Sequence, residues 1–168
     1  MGQYSTWYNS PMTPKKREKF QQTVYDFYAK NKRSFPWRRT KDPYYILVSE
    51  VMLQQTQTDR VVPKFEEFIA AFPTVESLAH APLKKVLQKW QGLGYNRRGL
   101  MLHNAAKDIA EKYDHKVPSD THVLESLPSI GTYTAAAIQA FAYNKPVTVI
   151  ETNIRTVFIH HFFENKKD

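Results

Sequence analysis

Glu50 sits in the run Ile46-Leu47-Val48-Ser49-Glu50-Val51-Met52-Leu53, one helical turn from Ile46, Leu47, Leu53 and Gln54. A helix that is apolar nearly all round is a buried helix. A carboxyl on such a helix must be paired or must stay protonated. Two readings follow. Glu50 is a proton donor whose pKa is raised by burial, or it is the partner of an arginine such as Arg38 or Arg97. A second constellation is Leu127-Pro128-Ser129-Ile130-Gly131-Thr132-Tyr133-Thr134-Ala135-Ala136-Ala137-Ile138. Proline breaks a short helix, a tight turn uses Gly131, where positive φ is cheap, and an alanine-rich helix begins at once. The first N–H groups of that helix lack intrahelical partners and lie at the positive end of its dipole, which suits a phosphate. The plain alternative is a helical hairpin with alanines as packing residues. A third constellation holds a second carboxyl, Glu151, just before Thr152-Asn153, where an acidic residue also complements a helix dipole.

The elements that must carry these residues are helices. Thr13 is an N-cap before Pro14, and Phe20, Val24, Phe27 and Tyr28 give the first helix an apolar face. Ser34-Phe35-Pro36-Trp37 breaks it. A buried helix is expected from about Pro43 to Thr58. Another, with Pro63 at its start, carries Phe65, Phe68, Ile69 and Phe72. Leu83, Val86, Leu87 and Trp90 form the next, stopped by Gly92 and Gly94. Leu102, Ala106, Ile109 and Tyr113 mark a further one. Short helices over 120–127 and 132–143 flank the proline turn, and a last helix covers 152–163. Only Val147 to Ile150 reads as extended, too short for a sheet. The fold class is all-α, with short linkers and antiparallel neighbours.

Among 168 residues, 24 Lys and Arg oppose 16 Asp and Glu, a net charge of +8. That sign favours a polyanion, nucleic acid or an acidic membrane surface, although a basic surface can also be indifferent. The chain has no cysteine, which removes disulfides, thiolate zinc sites and cysteine-ligated iron–sulfur clusters from these residues. No apolar stretch suffices to span a bilayer, and the N-terminus lacks a secretory pattern, so the expected location is the cytoplasm, at the nucleoid in a prokaryote. Histidines 80, 103, 115, 122, 160 and 161 show no ligand spacing, and no metal site is expected.

The run Ser49-Glu50-Val51-Met52-Leu53-Gln54-Gln55-Thr56, with Val62-Pro63 and Phe72-Pro73-Thr74 after it and Phe35-Pro36-Trp37-Arg38 before it, closely resembles the MutY-type (adenine-excising) branch of the helix–hairpin–helix DNA glycosylases. The resemblance continues through Trp90-Gln91-Gly92-Leu93-Gly94-Tyr95, Arg97 and Asn104-Ala105-Ala106, and covers roughly residues 17–160. The proline turn resembles that family's hairpin, which usually reads Leu-Pro-Gly-Val-Gly, so Ser129 replaces its first glycine, at a cost in strain and phosphate binding if that position needs positive φ. The resemblance implies an all-α, multi-helix glycosylase fold over residues 14–168, after a flexible tail over 1–13, with its second lobe incomplete. It implies a monofunctional glycosylase that hydrolyses the N-glycosidic bond of adenine mispaired with oxidised guanine or guanine in duplex DNA.

The same resemblance implies roles at matching positions. Glu50 protonates the extruded adenine. Gln55, with Gln54 beside it, wedges into the duplex, and Tyr95 inserts beside the opposing base. Arg38 and Arg97, and the hairpin residues Ser129, Gly131, Thr132 and Thr134, contact DNA. Glu151, followed by Asn153, stands where the family carries a catalytic aspartate that stabilises the sugar cation. Tyr133 stands where bifunctional relatives carry a Schiff-base lysine, and a tyrosine cannot form that imine. Asn96 departs from the aromatic residue often found there. The family's usual four-cysteine 4Fe-4S cluster has no ligands here, so no cofactor is expected. The partner is double-stranded DNA with a mismatch or an oxidised base, met by a monomer without membrane attachment. Relatives run well beyond this C-terminus, so a fragment or a reduced form is expected, with Phe158, Phe162 and Phe163 open to solvent. Other readings are a non-catalytic DNA-binding module and a thymine- or uracil-mismatch glycosylase.

Overall fold

The computed structural model describes residues 13–163. The tail expected at the N-terminus lies, up to residue 12, outside the described residues. Every regular element among the described residues is helical, as the apolar periodicity predicts. The chain divides into two compact units: residues up to 34 together with those from 153 onward, and residues 35–152.

In the first unit, α1 (Pro14–Asn31) starts as expected: the Thr13 side chain accepts from the Lys16 backbone N–H, with Pro14 in the first turn. Its apolar residues are only partly used. Phe20 packs on α9 (Thr152–Phe162), with ring centroids 5.2 Å from Phe158 and 4.9 Å from Phe162. Val24, Phe27 and Tyr28 remain exposed, as do Phe158 and Phe163.

The second unit holds the core. After a 3-10 turn at Pro36–Arg38 comes α2 (Pro43–Leu53), capped by the Asp42 carboxylate on the Tyr44 N–H. It buries Tyr44 and every residue from Ile46 to Met52. It ends at Leu53 and not at Thr58 as the sequence suggested; the intervening residues form a turn, and α3 (Thr58–Ala71) begins separately. The reason is tertiary, because the Arg98 side chain takes the last carbonyls of α2. Pro63 lies inside α3 and not at its start. At the sixth position of the helix a proline removes one backbone hydrogen bond and crowds the carbonyl four residues back, a cost set against the burial of Val61, Phe65 and Phe68 around it.

A short helix not foreseen, α4 (Val75–Ala79), is fixed by a reciprocal capping box between Thr74 and Ser77. Then follow α5 (Leu83–Trp90), α6 (Asn96–Lys112), α7 (Thr121–Ser126) and α8 (Thr132–Phe141). Helix α2 packs against α3, α6 and α8; α6 also receives α4 and α5; α7 and α8 pair as a hairpin. Phe68 stands edge-on to Phe72 and Trp90 at 4.9 and 5.9 Å, all fully buried, and truncating Phe68 to alanine would cost about 3–5 kcal/mol. Gly99 lets α6 approach Trp90, since a Cβ there would lie 2.8 Å from the indole ring. Val147 to Ile150 belongs to no strand.

Candidate active site and nucleic-acid interface

Glu50 is buried within α2, and no protein group hydrogen-bonds its Oε1. The guanidinium of Arg38 stands 3.7 Å away, held over the Phe141 ring. Both sequence readings of Glu50 therefore meet in one geometry. Burial pushes the carboxyl above the ordinary carboxylate range, and Arg38 opposes the rise without cancelling it. Arg97, the other arginine considered, is exposed on the rim of a cavity. Tyr133 stands half-exposed beside this site. Its phenol is pushed up by burial and by the neighbouring carboxylates of Glu50 and Glu151. Glu50, Tyr133, Arg38 and Glu151 thus share one electrostatic neighbourhood. Asn153 lies in the first turn of α9, in the other unit.

The hairpin corrects one expectation and supports another. Gly131 has an ordinary φ of −92°, and a Cβ there would meet nothing within 4 Å. The left-handed residue of the turn is Ser129, at φ 70°. The serine occupies the position where glycine would be free of strain. The turn is anchored below by buried Leu127 and Ile130. At the end of the hairpin away from the turn, the Gln139 amide donates to Ser119 O and Thr121 Oγ1, each at 3.0 Å. No side chain caps α8, so the N–H groups of Thr132, Tyr133 and Thr134 lie in the turn that lacks intrahelical partners. The Thr134 side chain is buried, which leaves only its backbone for a phosphate. Thr132 is exposed.

A cavity of about 620 Å³ opens between three loops, lined by Gln54, Gln55, Tyr95, Arg97, Arg98, Met101 and Ser129. Each loop contributes one non-glycine residue in the left-handed region: Gln55 at φ 55°, Tyr95 at φ 47° and Ser129 at φ 70°. Gln54 crosses from one loop to another, its amide donating to Ser129 O at 3.4 Å. Tyr95 is mostly exposed. The structure therefore brings Gln54, Gln55, Tyr95, Arg97 and Ser129 together on one rim. The sequence reading passed over Arg98, although Arg98, Leu102, Ala105 and Ile109 recur at helical spacing and mark it as inward-facing.

The sequence offers no thiolate for an iron–sulfur cluster. Among the described residues, no group of three or more His, Cys, Asp or Glu side chains could hold a metal ion. The donor set here does not fit the cluster that the resemblance implies.

A helix–hairpin–helix turn beside a buried carboxyl on an all-helical scaffold is the arrangement of base-excision glycosylases. Solved structures agree. A thermostable thymine-DNA glycosylase superposes with a TM-score of 0.83 at 30% identity, over 88% of this chain and 68% of that one. A trapped endonuclease III–DNA covalent intermediate shares the fold, with a TM-score of 0.76 at 18% identity, over 87% of this chain and 68% of that one. The chain belongs to the HhH-GPD superfamily of base excision DNA repair proteins, matched over residues 48–168. Curated relatives include the adenine DNA glycosylase of Mycolicibacterium smegmatis, 46% identical over 78% of this chain and 45% of the relative. The human adenine DNA glycosylase is 35% identical over 82% of this chain and 27% of the relative. The chain thus spans less than half the length of these relatives.

Proposed function

We propose that this chain is the base-excising core of an adenine DNA glycosylase, hydrolysing the N-glycosidic bond of adenine opposite oxidised guanine or guanine in duplex DNA. The observation that carries the reading is Glu50. It is a buried carboxyl held above the ordinary range in a chain that is 46% identical to an adenine DNA glycosylase. A carboxylic acid that burial holds in its protonated form to higher pH than usual can give that proton to a departing base.

In this mechanism the hairpin and the basic surface hold the backbone. Gln55 and Tyr95 fill the space left in the duplex as the target base turns out, offsetting part of its few-kcal/mol unstacking cost. Glu50 delivers a proton to the base as the bond to the sugar breaks and the electron pair leaves with the base. Glu151 faces the resulting sugar cation, in the manner of the second carboxylate in glycoside cleavage. Water closes the reaction at the sugar carbon and surrenders a proton to a carboxylate. Tyr133 offers no amine, so no imine forms and the strand stays intact. The partner is mismatched or lesion-bearing duplex DNA met by a monomer at the nucleoid or chromosome. Among the described residues no helix is long and apolar enough to cross a membrane.

The test is single-turnover excision by the full chain on duplexes carrying adenine opposite oxidised guanine, adenine opposite guanine, and thymine or uracil opposite guanine. Release of adenine, without strand cleavage and without a borohydride-trapped adduct, is expected. Release of thymine in preference to adenine would support the second reading, which the superposition on a thymine-DNA glycosylase favours. Binding without release of any base would leave a DNA-binding module.

A further inference from the structure

We propose that Arg98 is a positioning residue for base extrusion, its guanidinium fixing Gln55 and Tyr95, on two separate loops, as one rigid pair. This rests on the glycosylase reading above. One nitrogen, Nη1, donates to the carbonyls of Val51 and Met52 at 3.1 Å and to that of Gln54. The other, Nη2, donates to Thr56 Oγ1 at 3.0 Å, Leu93 O at 3.1 Å and Gly94 O at 3.2 Å. The first set closes the C-terminus of α2, where carbonyls lack helical partners and the dipole is negative. The second set reaches the loop that leads into α6. Gln55 lies between two of the anchored residues, Gln54 and Thr56, and Tyr95 follows directly on Gly94. The same guanidinium lies 5.4 Å from the centre of the Tyr95 ring.

Gln55 and Tyr95 both hold left-handed backbone that side chains rarely adopt. Such residues persist only where the surroundings over-determine them, and here one guanidinium contributes to both, beside Thr56 Oγ1 donating to Leu93 O and Trp90 Nε1 donating to Gly94 O. The planar fork of arginine serves two sets of acceptors at once, which the point charge of a lysine cannot do. Arg98→Lys therefore keeps the charge that attracts DNA and loses the registration of the two loops.

The experiment places 2-aminopurine, whose fluorescence rises on unstacking, at the target position of a duplex, and measures adenine excision in parallel on a fully stacked duplex and on one whose target adenine is already unpaired in a bulge. The unaltered chain should unstack the probe. Arg98→Lys should lose that signal and slow excision from the stacked duplex by about a hundredfold, the scale of a misplacement of about 1 Å. Its excision from the bulge, where extrusion is already done, should stay close to that of the unaltered chain. Equal losses on both substrates, or no loss on either, would overturn the proposal. If Arg98→Lys does not melt cooperatively, Thr56→Val decides. Removing that one anchor should slow the stacked duplex selectively and Thr56→Ser should restore it; no selective loss would overturn the proposal. An unaltered chain that neither unstacks the probe nor releases a base removes the glycosylase reading, and the proposal falls with it. When the unaltered chain is active, a failure of the Arg98 variants to discriminate between the two substrates overturns the role of Arg98 alone.

Discussion

Replacing Glu50 by glutamine removes a charge whose burial and pairing act in opposite directions. The Arg38 guanidinium lies 3.7 Å from Oε1. Two unit charges at that separation attract by about 4.5 kcal/mol at an effective dielectric near 20. This is an upper bound, because Arg38 is 36% exposed and therefore screened. The carboxyl is nonetheless pushed above its ordinary range, so desolvation outweighs the attraction. A group whose folded pKa is raised adds stability below its unfolded pKa and loses it as pH rises through the folded value. The unaltered protein should therefore lose stability as pH climbs from the ordinary carboxylate range to the elevated pKa of Glu50, while Glu50→Gln stays level across that window. Above it, the variant should be more stable by about 1–3 kcal/mol, the scale of an unsatisfied buried polar group. At about 2–4 °C per kcal/mol for a chain of this size, its melting temperature should exceed that of the parent by several degrees above the elevated pKa and match it below the ordinary carboxylate range. Single-turnover excision should fall by about 10²–10⁴, the worth of a general acid. Melting curves across pH with both proteins decide the matter. A melting temperature for Glu50→Gln that falls below the parent's as pH rises would show that the Arg38 pair stabilises an anion, and would refute the dominance of burial.

Ser129→Gly should release left-handed strain of about 1–2 kcal/mol against about 0.5–1 kcal/mol of added chain entropy, giving a small gain in thermal stability, whereas Gly131→Ala, entering space open within the protein at φ −92°, should leave the melting temperature unchanged. Gly99→Ala puts a methyl group 2.8 Å from the Trp90 ring and should lower stability by about 1–3 kcal/mol in a denaturant titration. It should also loosen the Trp90 Nε1 to Gly94 O hydrogen bond. Glu151→Gln should abolish excision while duplex binding holds or tightens, and Glu151→Asp should keep or raise the rate; excision by Glu151→Gln at the parental rate would assign that carboxylate to the helix terminus alone.

The all-helical class was legible in the sequence because apolar residues at period 3.6 and the punctuation of proline and glycine are local signals. So was the burial of Glu50, since no face of Ile46–Met52 is polar enough to meet water. The end of α2 was not legible at Leu53. Gln54, Gln55 and Thr56 carry no breaker, and the helix stops because Arg98, more than forty residues away, claims its last carbonyls. Which residue of the hairpin turns left-handed was legible in part, because Ser129 stands where the resemblance has a glycine. Glycine at 131 advertised a freedom that the chain does not use there, while Ser129, between buried Leu127 and Ile130, takes φ 70°. The sequence by itself determined which side chains can donate, accept and ionise. Only the tertiary structure decided that Glu50 faces Arg38 and shares its surroundings with Tyr133 and Glu151, and that one arginine fastens two loops, because those distances are set by contacts between residues far apart along the chain.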